Sequence, residues 1–306
     1  KYNWGMIVVD EAQNIKNPDT AQTVAIKALK SNIKIAMTGT PVENRLTELW
    51  SIFDFINKGY LGSLKDFQKS YAIPIERFKE NSRATKLKLS VSPFVLRRLK
   101  TDKTVISDLP DKVVLNDYCY LEKAQAVLYE KTLNEMMDKI SGFSGVNRRG
   151  NIFKLITALK QICNHPYQFL KSGGTSKELS GKAEKCISLV QNIIDSDEKT
   201  LIFTQYKEMG DLLAKIISEE CATDPSFFHG SLTVPQRENL IEDFQNNKER
   251  KVMILSLKAG GTGLNLTSAT NVIHYDLWWN PAVEEQATDR TYRIGQSKNV
   301  MVHRLI

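Results

Sequence analysis

The first apolar run, Met6-Ile7-Val8-Val9, has no alternation and is closed by Asp10. Such a run predicts a strand buried on both faces of a parallel sheet. A helical stretch over 21–30 follows, then a second strand at 33–37 that ends in Thr38-Gly39-Thr40-Pro41. The three form a β-α-β unit. From about 47 to 170 apolar residues recur at helical spacing, as in Leu49, Ile52, Phe53 and Ile56. Helices are predicted over 121–140 and 151–162, with an intervening loop at 142–150 that carries Arg148 and Arg149. The polar, Gly/Ser-rich stretch 171–181 reads as a linker.

Beyond it, strands and helices alternate. Strands are predicted at 200–204, 226–228, 252–256, 271–275 and 301–305. Helices are predicted at 183–195, 209–220, 234–246 and 282–292, the third opened by a capping box at Thr233 and Gln236. Single helices between strands imply a parallel sheet covered on both faces.

Composition adds bounds. The 306 residues suffice for two domains, and 42% hydrophobic with 25% charged is ordinary for a globular chain. Forty-two basic against 35 acidic residues leave +7, which fits a nucleic-acid partner without demanding one. Cys119, Cys163, Cys186 and Cys221 form no Cys-x-x-Cys half-site, so reduced thiols are expected and no structural zinc. No apolar run reaches the length of a membrane span, and none reads as a signal peptide. Lys1 is not a natural start, so the chain reads as a fragment.

Candidate chemistry sits at predicted strand ends. Asp10 and Glu11 can divide work between Mg²⁺ and an attacking water, though two acids after a strand also fit an ordinary loop. Thr38-Gly39-Thr40-Pro41 suits a phosphate-state sensor or a plain turn. Arg290 and Arg293, three apart on a predicted helix with Gln286 one turn earlier, would share a face. That pair suits a phosphoryl clamp or a solvated basic face. Lys258-Ala-Gly-Gly-Thr-Gly-Leu-Asn-Leu266 can cradle phosphates of nucleic acid or nucleotide, and His229-Gly230-Ser231 is a smaller candidate of that kind or a turn. Arg97-Arg98 can meet a nucleic-acid backbone or solvent. No Walker A loop is present: near Gly181-Lys182-Ala183 the first glycine is replaced by Ser176, and Ala183 stands where Ser or Thr would bind Mg²⁺.

In this order the motifs resemble the Swi/Snf-related branch of the superfamily-two helicase-like ATPases. Asp10-Glu11-Ala12-Gln13 is similar to its motif II in the prokaryotic form. Thr38-Gly39-Thr40-Pro41 through Trp50 is similar to motif III. Pro93-Phe94-Val95-Leu96-Arg97-Arg98 and Asp108-Leu109-Pro110-Asp111-Lys112 resemble the junction to the second lobe. Cys163-Asn164-His165-Pro166 resembles the end of a helical insertion. Leu201 to Tyr206, the stretch Phe228 to Ser231 and Ser256 to Leu266 resemble motif IV, the block after it and motif V. Asp276-Leu277-Trp278-Trp279-Asn280-Pro281 and Gln286 through Gln296 resemble the region through motif VI.

The resemblance implies an α/β fold of two P-loop NTPase RecA-like lobes with parallel sheets and helical insertions. The first lobe's C-terminal part would cover 1–56, a helical insertion and inter-lobe junction 57–115, a second insertion 116–170, the linker 171–181 and the second lobe 182–306. ATP would lie between the lobes, with Mg²⁺ on Asp10 and a Ser or Thr of the absent P-loop. Asp10, Glu11, Gln286, Arg290 and Arg293 would be catalytic. Gln13, Thr38, Gly39, Thr40 and Gly263 would couple to ATP. Lys258, Gly260, Gly261, Asn265, His229, Gly230, Trp279, Arg97 and Arg98 would meet double-stranded DNA, with a DNA-bound protein as the remodelling target and no membrane partner. Without motif I the chain alone is expected to be inactive and residues 1–56 poorly anchored, while the second lobe folds by itself. The protein would be cytoplasmic in a prokaryote and nuclear in a eukaryote. An RNA helicase and a non-catalytic DNA-binding module are the alternatives.

Overall fold

A computed structural model describes residues 2, 4–42, 45–98, 109–142, 144–257 and 264–306. The chain divides into two compact units, Lys1–Val105 and Ile106–Ile306.

In the first unit β1 (Trp4–Val9) runs parallel to β2 (Ser31–Ala36), joined through α1 (Ala21–Lys27). Thr20 caps α1 by accepting the N–H of Thr23 at 3.3 Å. Then come α2 (Leu46–Ile56), α3 (Leu64–Phe67), α4 (Ile73–Phe78) and α5 (Asn81–Val91), with a π-helical turn at Gln68–Ala72 between α3 and α4. Two small cores result. Ile7, Val9 and Ala36 pack with Ala12, Ile15 and Phe55, while Trp50, Phe67, Ala72 and Leu87 join the helices.

The expectation that the first strand is buried on both faces fails. Met6 and Val8 are about half exposed, as are Ile33 and Ile35. The reason is the alternation of side chains along a strand: only one face of this two-stranded sheet is covered by helices among the described residues. Within the segment 1–56, Ser51 Oγ donates to Ile15 O at 2.6 Å and Lys27 pairs with Asp54 at 2.9 Å, joining α2 to the loops and helix of the β-α-β unit.

The second unit opens with β3 (Lys112–Asp117), a strand that the sequence pattern did not reveal. A helical layer follows: α6 (Lys123–Ser141), α7 (Gly145–Asn164) and α8 (Pro166–Leu170). The predicted loop 142–150 shrinks, because residues from Gly145 onward already belong to α7. Next come α9 (Gly181–Asp195), β4 (Thr200–Thr204), α10 (Lys207–Glu220), β5 (Ser226–Phe228) and α11 (Val234–Asn246). β6 (Val252–Ser256), β7 (Asn271–His274), α12 (Pro281–Thr288) and β8 (Val300–Leu305) complete it. The six strands are all parallel, in the order β3-β8-β7-β4-β6-β5.

Alternation divides this sheet's side chains between two cores. Ile202, Ile254 and Ile273 join α9 and α10 through Val190, Leu213 and Ile216. Leu201, Phe203, Met253, Leu255 and Val272 join α11 and α12 through Phe244 and Ala287. The expected cover on both faces is present here. Gly210 makes it possible on one side, since a Cβ there would lie 2.2 Å from the Phe227 ring. The capping box of Thr233 and Gln236 forms as predicted.

The stretch 171–181 is not a free tether. Lys171 pairs with Glu208, Lys177 with Glu220 at 2.5 Å, and Ser180 caps α9. All four cysteines are free thiols, Cys186 and Cys221 buried and the others partly so.

Candidate functional site

β1 and β2 end side by side, and backbone bonds hold their loops together: Met37 N–H donates to Val9 O at 2.8 Å and Ala12 N–H to Met37 O at 2.9 Å. At this carboxyl edge, where ligands of open α/β sheets bind, Asp10 is exposed and Glu11 half-buried. Glu11 adopts φ 49°, ψ 51°, the left-handed region a residue with a Cβ seldom enters. Its N–H donates to Asp10 Oδ1 at 2.8 Å, which orients the Asp10 carboxylate. Gln13 Nε2 donates to Glu11 Oε2 at 2.6 Å, and Thr38 Oγ1 donates to Gln13 Oε1 at 2.7 Å. Thr38 Oγ1 also accepts the N–H of Thr40 at 3.1 Å. The structure thus brings Asp10, Glu11, Gln13, Thr38 and Thr40 into one hydrogen-bonded relay, with Gly39 exposed between the threonines. Arg97 and Arg98 are exposed in the same unit.

In the second unit parallel strands put every strand's carboxyl end on one edge. His229 and Gly230 follow β5 there, and the turn at 276–280 follows β7. His229 Nδ1 accepts the N–H of Ser231 at 3.3 Å, and Gly230 O accepts from Arg237 at 2.8 Å. Burial, helped by Lys207, shifts the His229 imidazole below its usual value. Trp279 projects into solvent with 68% of its surface exposed. Asn265 is exposed, and its carbonyl accepts from Gln245 at 2.9 Å. Lys258, Gly260, Gly261 and Gly263 lie outside the described residues.

The arginine expectation needs correction. α12 stops at Thr288, and the chain continues through tight turns in which Thr291 N–H and Tyr292 N–H both reach Thr288 O at 3.0 Å. Arg290 and Arg293 therefore do not share a helix face. Arg290 is buried, whereas Arg293 is exposed and donates to Leu264 O at 3.2 Å. Leu266 N–H donates to Arg290 O at 3.0 Å, so both arginines are still drawn to the segment after β6. Gln286, on α12, is half-buried.

A second polar cluster was not foreseen. Asp276 is fully buried where β7 ends, and its carboxylate accepts from Thr204 Oγ1 at 2.5 Å, Gln205 N–H at 2.8 Å and Asn164 Nδ2 at 3.3 Å. Burial raises its pKa, against the hydrogen bonds of Thr204 and Gln205 and the charges of Lys182 and Lys160. Lys182, pushed below its usual value by burial, donates to Leu305 O at 3.0 Å and Tyr275 O at 3.4 Å. A Cβ on Gly181 would lie 2.0 Å from Tyr120 O, so Gly181-Lys182 serves packing. His165 Nδ1 accepts the N–H of Tyr167 at 3.1 Å, so Nε2 carries the proton toward Ser176 O at 3.0 Å and the ring caps α8. The sequence offered one signal for Asp276: like Asp10, it closes an apolar strand.

Residues 1–168 match the SNF2-related domain, and residues 181–295 match the helicase conserved C-terminal domain. The chain belongs to the SNF2-related family. A Bacillus subtilis protein, named for an inferred ATP-dependent helicase/translocase activity, is 49% identical over 306 residues, covering 99% of this chain and 33% of that protein. A Saccharomyces cerevisiae DNA repair and recombination protein is 34% identical over 333 residues, covering 100% of this chain and 30% of that protein. The solved Sulfolobus solfataricus SWI2/SNF2 ATPase core in complex with dsDNA matches with TM-score 0.59 and 45% identity, covering 100% of this chain and 64% of that one. This SNF2-related chain therefore spans about a third of the curated relatives it matches. Its α/β units, with their parallel sheets, are of the kind found in SWI2/SNF2 ATPase cores, and the RecA-like fold expected for the family is shown.

Proposed function

We propose that the complete protein is an ATP-driven motor that translocates on double-stranded DNA and displaces or remodels DNA-bound protein. The observation that carries this is the relay from Glu11 through Gln13 to Thr38, with Asp10 held beside it, in a chain of SNF2-related family. A carboxylate that polarises the attacking water must feel whether the γ-phosphate is present, and a relay reaching the neighbouring strand's loop supplies that link. Asp10 fits a Mg²⁺ site: it is an exposed, hard-oxygen ligand oriented by the Glu11 N–H, and Mg²⁺ keeps most of its shell as water. Bound there, Mg²⁺ would neutralise phosphate charge. Asp10 would hold it, Glu11 would take the proton of the water, and the exposed Arg293 would stabilise charge on the transferring phosphoryl group. Arg290, buried, would hold the segment that carries Leu266. Along the second unit's edge His229, Gly230, Asn265 and Trp279 would meet DNA, together with Lys258, Gly260 and Gly261; Arg97 and Arg98 would add backbone contacts.

The deciding experiment measures ATP hydrolysis by the complete protein with duplex DNA, single-stranded DNA or duplex RNA. Stimulation by duplex DNA is expected. Stimulation by RNA alone would replace this reading with an RNA helicase, and duplex DNA binding with no hydrolysis under any of the three conditions would leave a non-catalytic binding module.

A further inference from the structure

The turn after β7 is pinned on every side except one. Asp276 is held by Thr204 and Gln205. Leu277 O takes two donors, Gln205 Nε2 at 2.6 Å and Lys160 Nζ at 2.8 Å. Trp278 N–H donates to Glu284 Oε1 at 2.8 Å, and Asn280 Oδ1 accepts the N–H of Ala282 at 3.1 Å. Only the Trp279 side chain leaves this frame, and it is 68% exposed. An indole suits an interface because it offers a broad flat surface at little conformational cost.

Lys160 comes from α7, in the helical layer, as does Asn164, which donates to Asp276 at 3.3 Å; Lys160 is the α7 residue that reaches Leu277 and Trp279. Its half-buried ammonium also lies 5.3 Å from the centroid of the Trp279 ring, within cation–π range. One side chain therefore both fixes the backbone two residues before Trp279 and limits the orientations of its ring. Burial shifts the Lys160 ammonium below its usual value, and the nearby charges of Asp276 and Glu284 offset that only in part. We propose that Lys160 is a positioning residue, by which the helical layer fixes the turn 277–280 and sets the pose in which Trp279 meets DNA. This rests on the reading of Trp279 as a DNA contact.

The test uses the complete protein and measures ATP hydrolysis against duplex DNA concentration. Lys160→Met keeps the apolar stem and removes the donor and the charge; Leu277 O retains Gln205, so no carbonyl is orphaned. The half-saturating duplex concentration should rise about tenfold, the scale of one hydrogen bond from a charged donor, with the saturated rate changed less than about twofold. Lys160→Arg, which keeps both contacts, should stay within about twofold of wild type. In a Trp279→Ala background Lys160→Met should add less than about twofold, because residues that act through one another are non-additive. Additive losses, a loss confined to the saturated rate, or a Lys160→Met protein that no longer unfolds cooperatively would each overturn the proposal. If the wild type shows no duplex stimulation, the motor reading falls. If it is stimulated and Trp279→Ala weakens DNA while Lys160→Met does not, the positioning role alone falls.

Discussion

In the first unit two parallel strands leave Met6, Val8, Ile33 and Ile35 about half exposed, whereas in the second unit the central strands β4, β6 and β7 of a six-stranded parallel sheet are covered on both faces and Ile202, Met253 and Ile254 are wholly buried. Yet the same kind of functional loop leaves the carboxyl ends of strands in both. The relay of Asp10, Glu11, Gln13 and Thr38 is assembled from one β-α-β unit, by backbone bonds between adjacent strand ends and three side-chain bonds. The relay itself needs two neighbouring strands, not a thick core. The second unit's frame around Asp276 draws on α7, β4, β7 and α12, which only a complete double-wound sheet brings together. Local bonding can place an exposed carboxylate at a strand end; burying one requires layers on both sides.

The sharpest test of the first unit's side of this contrast is Glu11→Gln in the complete protein. Duplex-stimulated hydrolysis should fall roughly 10²–10⁴-fold with nucleotide binding kept, as for removal of a general base. A variant retaining more than about a tenth of the rate would show that the base lies elsewhere. On the second unit's side, Arg293→Ala should lower kcat about 10³-fold while duplex affinity holds, the scale of a lost arginine finger. A pure DNA-binding defect would reassign Arg293 to the DNA track.

The burial contrast can be broken by core truncation. Phe244→Ala removes a wholly buried ring and should destabilise the second unit by about 3–5 kcal/mol in urea unfolding. Acid should act on the same unit. Burial, helped by the Arg304 charge, holds His274 at about 3 against an ordinary 6.5. Between those values the unfolded chain binds a proton that the folded one refuses, so stability is full above 6.5 and falls with acidification. The slope from this group is up to about 1.4 kcal/mol per pH unit. Asp276, raised by burial, works in the opposite sense, because the folded state takes up its proton first. His274→Gln should therefore flatten the acid limb measured by thermal unfolding; an unchanged limb would assign it to other groups. The smallest effect is expected from Val8→Ala, within about 0.5 kcal/mol, since Val8 is half exposed. A loss there comparable to that of Phe244→Ala would erase the contrast.

Much of this was legible along the chain. β4, β5, β6 and α11 fall where the apolar runs and the capping box predicted them, since short strands bounded by turn residues and a capped helix are set by local chemistry. β3 was missed because Lys112–Asp117 borders a long helical stretch and is an edge strand with exposed Val113 and Val114. The arginine pair was misjudged because a spacing of three implies a shared face only while the helix lasts, and α12 ends before Arg290.

The sequence by itself determined the order of the elements around the sites, other than β3, and the placement of Asp10, Glu11 and Thr38 at strand ends, because strand runs and the turns that end them are local. It also carried the family, because the motifs recur in fixed order. Tertiary structure alone decided which of two arginines is exposed, that Asp276 is buried among Thr204, Gln205 and Asn164, and that Lys160 stands over Trp279. Those contacts join residues up to 119 positions apart, where no periodicity or spacing reaches.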